Sequence, residues 1–243
     1  MYINLIVLLL VLFSVVVTMA WRSSSNSNNG MVEQLKRNDI IKSAAVEQAM
    51  LLTDRANYVY NYPYLDAPQL IGFDATISAP HMHAYALTVL QDVITIPNAK
   101  ILDIGVGSGY LAVCMAKMNP SAKVYGIDIV PGLVHLALKN VMKRDADLLN
   151  SGRLVIREGD GWVGIEGEDK FNAIHVGAAA ESLPKPLLTQ LAIGGKLVIP
   201  VGQQGEIQTL IEIKKMSDDD DFDKAYQVKN LLSVQYVPLV KDD

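Results

Sequence analysis

The sequence predicts a doubly wound α/β fold around a mostly parallel sheet, on three observations. From residue 100 onward, short apolar runs alternate regularly with stretches of helical periodicity. Strands interleaved with helices imply parallel pairing, since a crossover must carry the chain back before the next strand begins. The 243 residues, half of them hydrophobic, suffice for one full-sized core and not for two. A single domain is therefore expected, and no internal repeat is visible.

At the N-terminus "INLIVLLLVLFSVVVTMA", residues 3–20, is almost uniformly apolar, whereas the following "WRSSSNSNNG" is polar. Residues 1–20 read as a signal peptide ending at Ala20 or as a signal anchor of roughly minimum spanning length, about 17 to 20 residues. The lack of Lys or Arg before the apolar run weakens the first of these, and a buried strand or helix is the third option. Residues 21–30 read as a flexible linker, which places the domain at 31–243. Within that linker Asn29 precedes Gly30, whose missing side chain lets its nitrogen close on the Asn amide, so deamidation is expected there.

Helical spacing of apolar residues marks "MVEQLKRNDII" and "SAAVEQAMLL" as helices, and the aromatics and prolines of "NYVYNYPYLDAP" mark an ordered loop. The alternation then runs "AKILDIG" (strand), "GYLAVCMAKM" (helix), "AKVYGIDI" (strand), "GLVHLALKNVMKR" (helix) and "GRLVIREGD" (strand). "FNAIHVGA" is a fourth strand, and "KPLLTQLA" a helix ended by Gly194 and Gly195. "KLVIPVG", "QTLIEIKK" and "NLLSVQYVPL" are later strands, and "SDDDDFDK", residues 217–224, is a solvated hairpin loop.

Composition excludes several classes of function. A net charge of −5 argues against a surface built to neutralise phosphates, so no nucleic-acid partner is expected. Cys114 is the only cysteine, which rules out an internal disulfide, and it reads as packing. His81, His83, His135 and His175 have no zinc-type spacing with it, so no metal is expected. His81 and His83, two apart, face different ways on a helix.

The chemistry is concentrated at strand ends. In "LDIGVGSGY" Asp103 closes a strand, and Gly105, Gly107 and Gly109 turn into the next helix, where a side chain would block the turn and the approach of a ligand to the backbone. The spacing D-x-G-x-G-x-G differs from the G-x-G-x-x-G that receives a pyrophosphate. Nineteen residues after Gly109, Asp128 ends the second strand, with Ile129 after it, positioned either to accept from both hydroxyls of a ribose or to cap the following helix. "EGDG" places Asp160 and Gly161 at the end of the third strand, where the carboxylate can accept from an adenine amine or serve an ordinary turn. Together these residues describe a nucleoside site without a phosphate clamp, as for S-adenosyl-L-methionine in a class I, Rossmann-like methyltransferase. His175, also at a strand end, can border such a ligand or bond to the backbone.

"GFDATISAPHMHAYAL", "LDIGVGSGYL", "EGDG", "AIHVGAAA", "GGKLVIPVG" and "VQYVPL" follow one another here in the order found in protein-L-isoaspartate (D-aspartate) O-methyltransferases, and the chain resembles that family from about Met19 onward. The resemblance implies transfer of a methyl group from S-adenosylmethionine to the free α-carboxylate of isoaspartyl residues, and of D-aspartyl residues, in damaged proteins. The ester then closes to a succinimide whose hydrolysis partly restores aspartate. It further implies an active-site role for Ser78, with Thr76, Ile77 and His83 closing over cofactor and substrate. Read without the resemblance, Ser78 before Ala-Pro is a helix N-cap.

The chain departs from the family in two places. An apolar extension precedes "MAWR", and Val240 stands where a threonine is common, with no polar tail beyond it. The resemblance implies a cytoplasmic monomer, while residues 3–20 imply membrane association, as an anchored or secretory-pathway protein. Two other functions fit the residues: a methyltransferase of another substrate, and a non-catalytic adenosyl-ligand binding protein.

Overall fold

Ser27 starts the first helix earlier than the apolar spacing predicts. In the computed structural model, which describes residues 23–168 and 170–241, α1 spans Asn28–Arg37. Extended backbone at Ser27 lets its Oγ accept the Gly30 N–H at 3.1 Å, an N-cap that satisfies one of the helix's orphan donors. Met31, Val32 and Leu35 share the buried face. Asn28, also buried, donates from Nδ2 to the carbonyls of Met50 (2.9 Å) and Leu51 (3.3 Å) at the end of α2 (Ala44–Leu52), and its Oδ1 accepts the Arg55 N–H at 3.3 Å. Ser23 is buried and accepts from Asn38 Nδ2. Residues 23–30 are thus part of the folded domain, a correction to the linker expected there.

The expected membrane partner and membrane-anchored location are corrected as well. Among the described residues no helix is long and apolar enough to cross a membrane. Residues 3–20, on which that expectation rested, lie outside the described residues.

Between the predicted loop and the first sheet strand lies a hairpin that apolar spacing did not mark, β1 (Gln69–Gly72) and β2 (Ala75–Ile77), paired antiparallel. Its turn residues Phe73 and Asp74 have φ of 53° and 55°, the paired positive values of a turn whose twist matches that of the strands. Pro80 then opens α3 (Pro80–Ile94) at a position that needs no N–H.

The sheet has seven strands: β3 (Lys100–Ile104), β4 (Lys123–Asp128), β5 (Leu154–Glu158), β6 (Phe171–Val176), β7 (Leu191–Val201), β8 (Gln208–Lys215) and β9 (Tyr226–Val234), in the order β5-β4-β3-β6-β7-β8-β9. β3 to β7 pair in parallel, and β8 and β9 add antiparallel. Crossovers are made by α4 (Tyr110–Met118), α5 (Pro131–Val141), α6 (Ala146–Asn150) and α7 (Lys185–Thr189). Alternate strand residues feed opposite layers. Ile101, Val124, Ala173 and Val198 pack on the face of α1 to α5, whereas Leu102, Ile127, Ile174 and Ile199 pack on the other with Leu187 and Leu188 of α7. Burial on both faces is why these strands read as continuous apolar runs.

Two boundaries differ from the sequence reading. "LAIGG" is the irregular first half of β7, with a register shift opposite Phe171 and Ala173, so α7 ends at Thr189 instead of at the glycines. β9 begins at Tyr226 and stops at Val234, after the short helix α8 (Phe222–Ala225) inside the acidic loop, and "VPL" leaves the sheet.

The helical first turn reverses the expectation for Asn29. Attack on its amide requires the Gly30 nitrogen, which is committed to Ser27, so isoaspartate formation at Asn29 should be slower by roughly tenfold or more in the folded protein than in urea, because the turn must first open. Peptide mapping of aged folded and unfolded samples measures this, and equal rates would show the turn to be open.

Candidate active site

The chain winds outward from β3 through β4 to β5 and then returns to β6 on the other side of β3, so the crevice at the carboxyl ends of β3 and β6 is a topological switch point. A cleft of 490 Å³ lies there, walled by the hairpin turn Phe73–Thr76, Gly105 and Gly107, Asp128 to Val130, and the C-terminal segment 237–240. A smaller cavity of 40 Å³ adjoins it through the shared residues Thr76, Gly105, Gly107 and Gly177. Ile77, Ser78, His83, Asp103 and His175 line this inner chamber.

Gly105 and Gly107 have φ of 71° and 51°, where other residues are strained, and a Cβ on Gly105 would approach nothing closer than the Gly177 backbone at 3.8 Å. Glycine therefore serves backbone conformation and leaves the peptide groups open to a ligand. The turn is pinned to the end of β4: Gly105 and Val106 donate to the Ile127 carbonyl at 2.9 Å, and Gly107 to Asp128 Oδ2 at 3.0 Å. Asp128 Oδ1 accepts the Val130 N–H at 3.2 Å ahead of α5, whose N-cap is Val130 with no side-chain cap, so Asp128 stands on the cleft wall and does not cap the helix. Burial pushes its carboxyl pKa up, and the Gly107 and Val130 N–H groups oppose that. Asp103 is buried with its Oδ1 2.8 Å from His175 Nδ1, its neighbour across β3 and β6. The His175 imidazole thus bonds a carboxylate instead of the backbone. Burial raises the Asp103 carboxyl pKa, and His175 draws it back.

Ser78 is not a helix cap. Ala79 holds that position for α3, and the Ser78 hydroxyl lies within hydrogen-bonding reach of that of Tyr236. Its carbonyl accepts from Arg55 Nη2 at 2.7 Å, while Arg55 Nη1 lies 3.1 Å from His83 Nδ1. Burial first, and the Arg55 charge second, push the His83 pKa well below the ordinary value, so the imidazole is neutral at pH 7.

Thr76, Gly105, Gly107, Asp128, Ile129 and Gly161 thus line the larger cleft, and Ile77, Ser78, His83 and Asp103 the smaller. Gly109 and Asp160 line neither, although Gly159 and Gly161 on either side of Asp160 line the larger. Gly109, at φ 88°, caps α4 and faces α5, where a Cβ would sit 3.4 Å from Ala137 and Val141. The Asp160 carboxylate accepts the Trp162 N–H at 2.7 Å in its own turn, the ordinary alternative for an Asp-Gly pair. Cys114 is fully buried, and burial pushes its thiol pKa up to about 11, as suits packing.

Apolar spacing gave no sign of the contributions of Phe73, Asp74, Arg55 or Tyr236. The hairpin was legible only as Gly-Phe-Asp between two short apolar runs. The C-terminal residues reach the cleft because Ala179 exchanges backbone hydrogen bonds with the 237–239 segment (Ala179 N–H to Val237 O at 2.8 Å, Leu239 N–H to Ala179 O at 2.7 Å), and Trp162 Nε1 donates to the Leu239 carbonyl.

A seven-stranded sheet of this order, with a glycine turn after β3 and an acid closing β4, is that of a class I S-adenosylmethionine-dependent methyltransferase. The chain belongs to the protein-L-isoaspartate(D-aspartate) O-methyltransferase family, whose sequence profile matches residues 26–243. It is 44% identical over 222 residues to the protein-L-isoaspartate O-methyltransferase of Caenorhabditis elegans, covering 91% of this chain and 96% of the relative. To protein-L-isoaspartate O-methyltransferase 2 of Arabidopsis thaliana it is 42% identical over 221 residues, 89% of this chain and 69% of the relative. A Plasmodium falciparum protein-L-isoaspartate O-methyltransferase, solved in complex with S-adenosyl-L-homocysteine, superposes with a TM-score of 0.81 at 37% identity, over 90% of this chain and all of that one.

Gly161 is the tightest point of the cleft floor: a Cβ there would lie 2.6 Å from Ile104 Cγ2 and 2.7 Å from Leu239 Cδ1. Gly161→Ala should lower stability by about 1 to 3 kcal/mol, the usual range for overpacking. Urea denaturation measures it, and an unchanged midpoint would show that the C-terminal segment yields freely.

Proposed function

We propose that this chain repairs damaged proteins by methylating the free α-carboxylate of L-isoaspartyl and D-aspartyl residues, with S-adenosylmethionine as methyl donor, and that Ser78 orients the carboxylate. The observation that carries this reading is the pair of joined chambers, one large enough for a nucleoside and the other walled by Ser78 and His83.

The residues of the larger chamber fit the donor. Asp128 offers a carboxylate to the ribose hydroxyls, Gly105 and Gly107 leave backbone open at close approach, and Ile129, Val130 and Leu133 give an apolar wall for a purine. The complex of the P. falciparum relative with S-adenosylhomocysteine supports the assignment. Bound there, S-adenosylmethionine supplies an electrophilic methyl group on a cationic sulfur, and the C–S bond breaks with its electron pair going to sulfur as the carboxylate oxygen takes the methyl.

The chain's own residues then have a limited task. A carboxylate is already ionised at neutral pH, so no general base is needed. Ser78 donates a hydrogen bond that fixes the carboxylate, Thr76 and Ile77 hold the boundary between the chambers, and enclosure excludes water. Holding nucleophile and methyl in line converts a bimolecular encounter into a unimolecular one.

Linkage through the β-carbon puts the α-carboxylate on a short branch of a lengthened backbone, so the side chain of a normal Asp has the same charge at a different reach. Displacement by about 1 Å costs on the order of a hundredfold in rate. With labelled S-adenosylmethionine and paired peptides, methyl transfer should go to the isoAsp form and nearly spare its Asp twin. Ser78→Ala should lower turnover by about tenfold or more, with little effect on cofactor affinity, as for a hydrogen bond to a charged group. Equal transfer to both peptides would overturn the repair reading.

A further inference from the structure

The two chambers are walled by acids, Asp74 and Asp128 in the larger and Asp103 in the smaller, and neither is lined by Lys or Arg. Such walls suit a cationic donor and oppose an anionic acceptor. One cation stands directly behind them. Arg55 is fully buried, and among the described residues it pairs with no carboxylate. Among the described residues its Nε has no hydrogen-bond partner, its guanidinium carbon lies 5.3 Å from the centre of the Tyr110 ring, and its two terminal nitrogens reach wall residues, the Ser78 carbonyl and His83 Nδ1. The nearby Asp66 carboxylate is engaged by His81, through both its backbone N–H and Nδ1. A buried guanidinium without an anion is costly, and that cost falls when an anion arrives next to it.

We propose that Arg55 is the positioning residue for the substrate's negative charge, acting through His83. This rests on the reading that the inner chamber takes the isoaspartyl carboxylate. A guanidinium can only donate, so His83 Nδ1 accepts and the proton sits on Nε2. The His83 ring makes no other hydrogen bond among the described residues, and it lines the inner chamber beside Ser78. The Nε2–H is thereby a donor to the carboxylate, polarised from behind by the Arg55 charge. The same contact fixes the Ser78 backbone, so one side chain sets both donors. Arg55 does not distinguish isoAsp from Asp, which have equal charge. It distinguishes the acid from its methyl ester, and so favours binding of substrate and release of product.

The test uses the full chain with S-adenosylhomocysteine, which lacks the sulfonium charge and leaves Arg55 as the cation in question. Binding of an isoaspartyl peptide and of its α-methyl ester is measured by calorimetry in the wild type and in Arg55→Met. The wild type should prefer the acid by about tenfold or more, the worth of a hydrogen bond to a charged group. Arg55→Met should bring that ratio close to one, with S-adenosylhomocysteine affinity nearly unchanged. An undiminished ratio in the variant overturns the proposal. Nitrogen-15 NMR of His83 in the wild-type protein gives an independent reading that does not depend on the variant folding: a proton on Nε2 is required, and a proton on Nδ1 overturns it. A wild type that binds and methylates neither peptide would overturn the functional reading and this proposal with it, whereas methylation of the isoAsp peptide with an unchanged acid-to-ester ratio in Arg55→Met overturns this proposal alone.

Discussion

The end of β4 is the point on which the site depends. Within two residues, Ile127 and Asp128 accept hydrogen bonds from the glycine turn after β3, from the start of α5 and, through the Asp128 carbonyl, from Gly159 after β5. The glycine turn after β3 and the turn after β5 are therefore fixed to the same strand end from which α5 departs. The cleft they form is set before any ligand enters, so little reorganisation is left for the moment of reaction. Gly177 adds the fourth wall by donating to the Ile104 carbonyl at 2.8 Å.

Around this frame acids line both chambers, and the buried cation stands behind the inner one. Asp74 and Asp128 line the larger cleft, Asp103 lines the inner chamber bonded to His175, and the Arg55 guanidinium sits behind His83 and Ser78. The stitching of α1 to α2 through Asn28, which also accepts the Arg55 N–H, makes the N-terminal helices part of the active-site scaffold. Charge is thus managed by placement, and no group in the inner chamber has to carry a proton away.

The parallel sheet was legible because strands buried on both faces leave continuous apolar runs, and the glycine turn because positive φ leaves glycines at fixed spacing. Asp128 was marked by its place at a strand end, whereas Ser78 and His83 were marked only by the resemblance to the family, Ser78 reading otherwise as a helix N-cap. Arg55 was not, since nothing local separates a buried arginine from a solvated one, and its partners lie 23 and 28 residues away. The β1–β2 hairpin was too short for periodicity to register, and Phe73 and Asp74 adopt positive φ without the usual Asn-Gly signal. For Asp160 and Gly109, strand-end position alone does not say whether the residue faces the cleft, its own turn or the next helix.

Methyl transfer by alignment of an ionised carboxylate leaves no proton in flight. Single-turnover methyl transfer to an isoaspartyl peptide, compared in H₂O and D₂O, tests it directly. A solvent isotope effect of about one is expected, because general acid–base catalysis is absent from the step. An effect of about two or more on the chemical step would contradict it and assign a proton-transferring role to a side chain of the inner chamber.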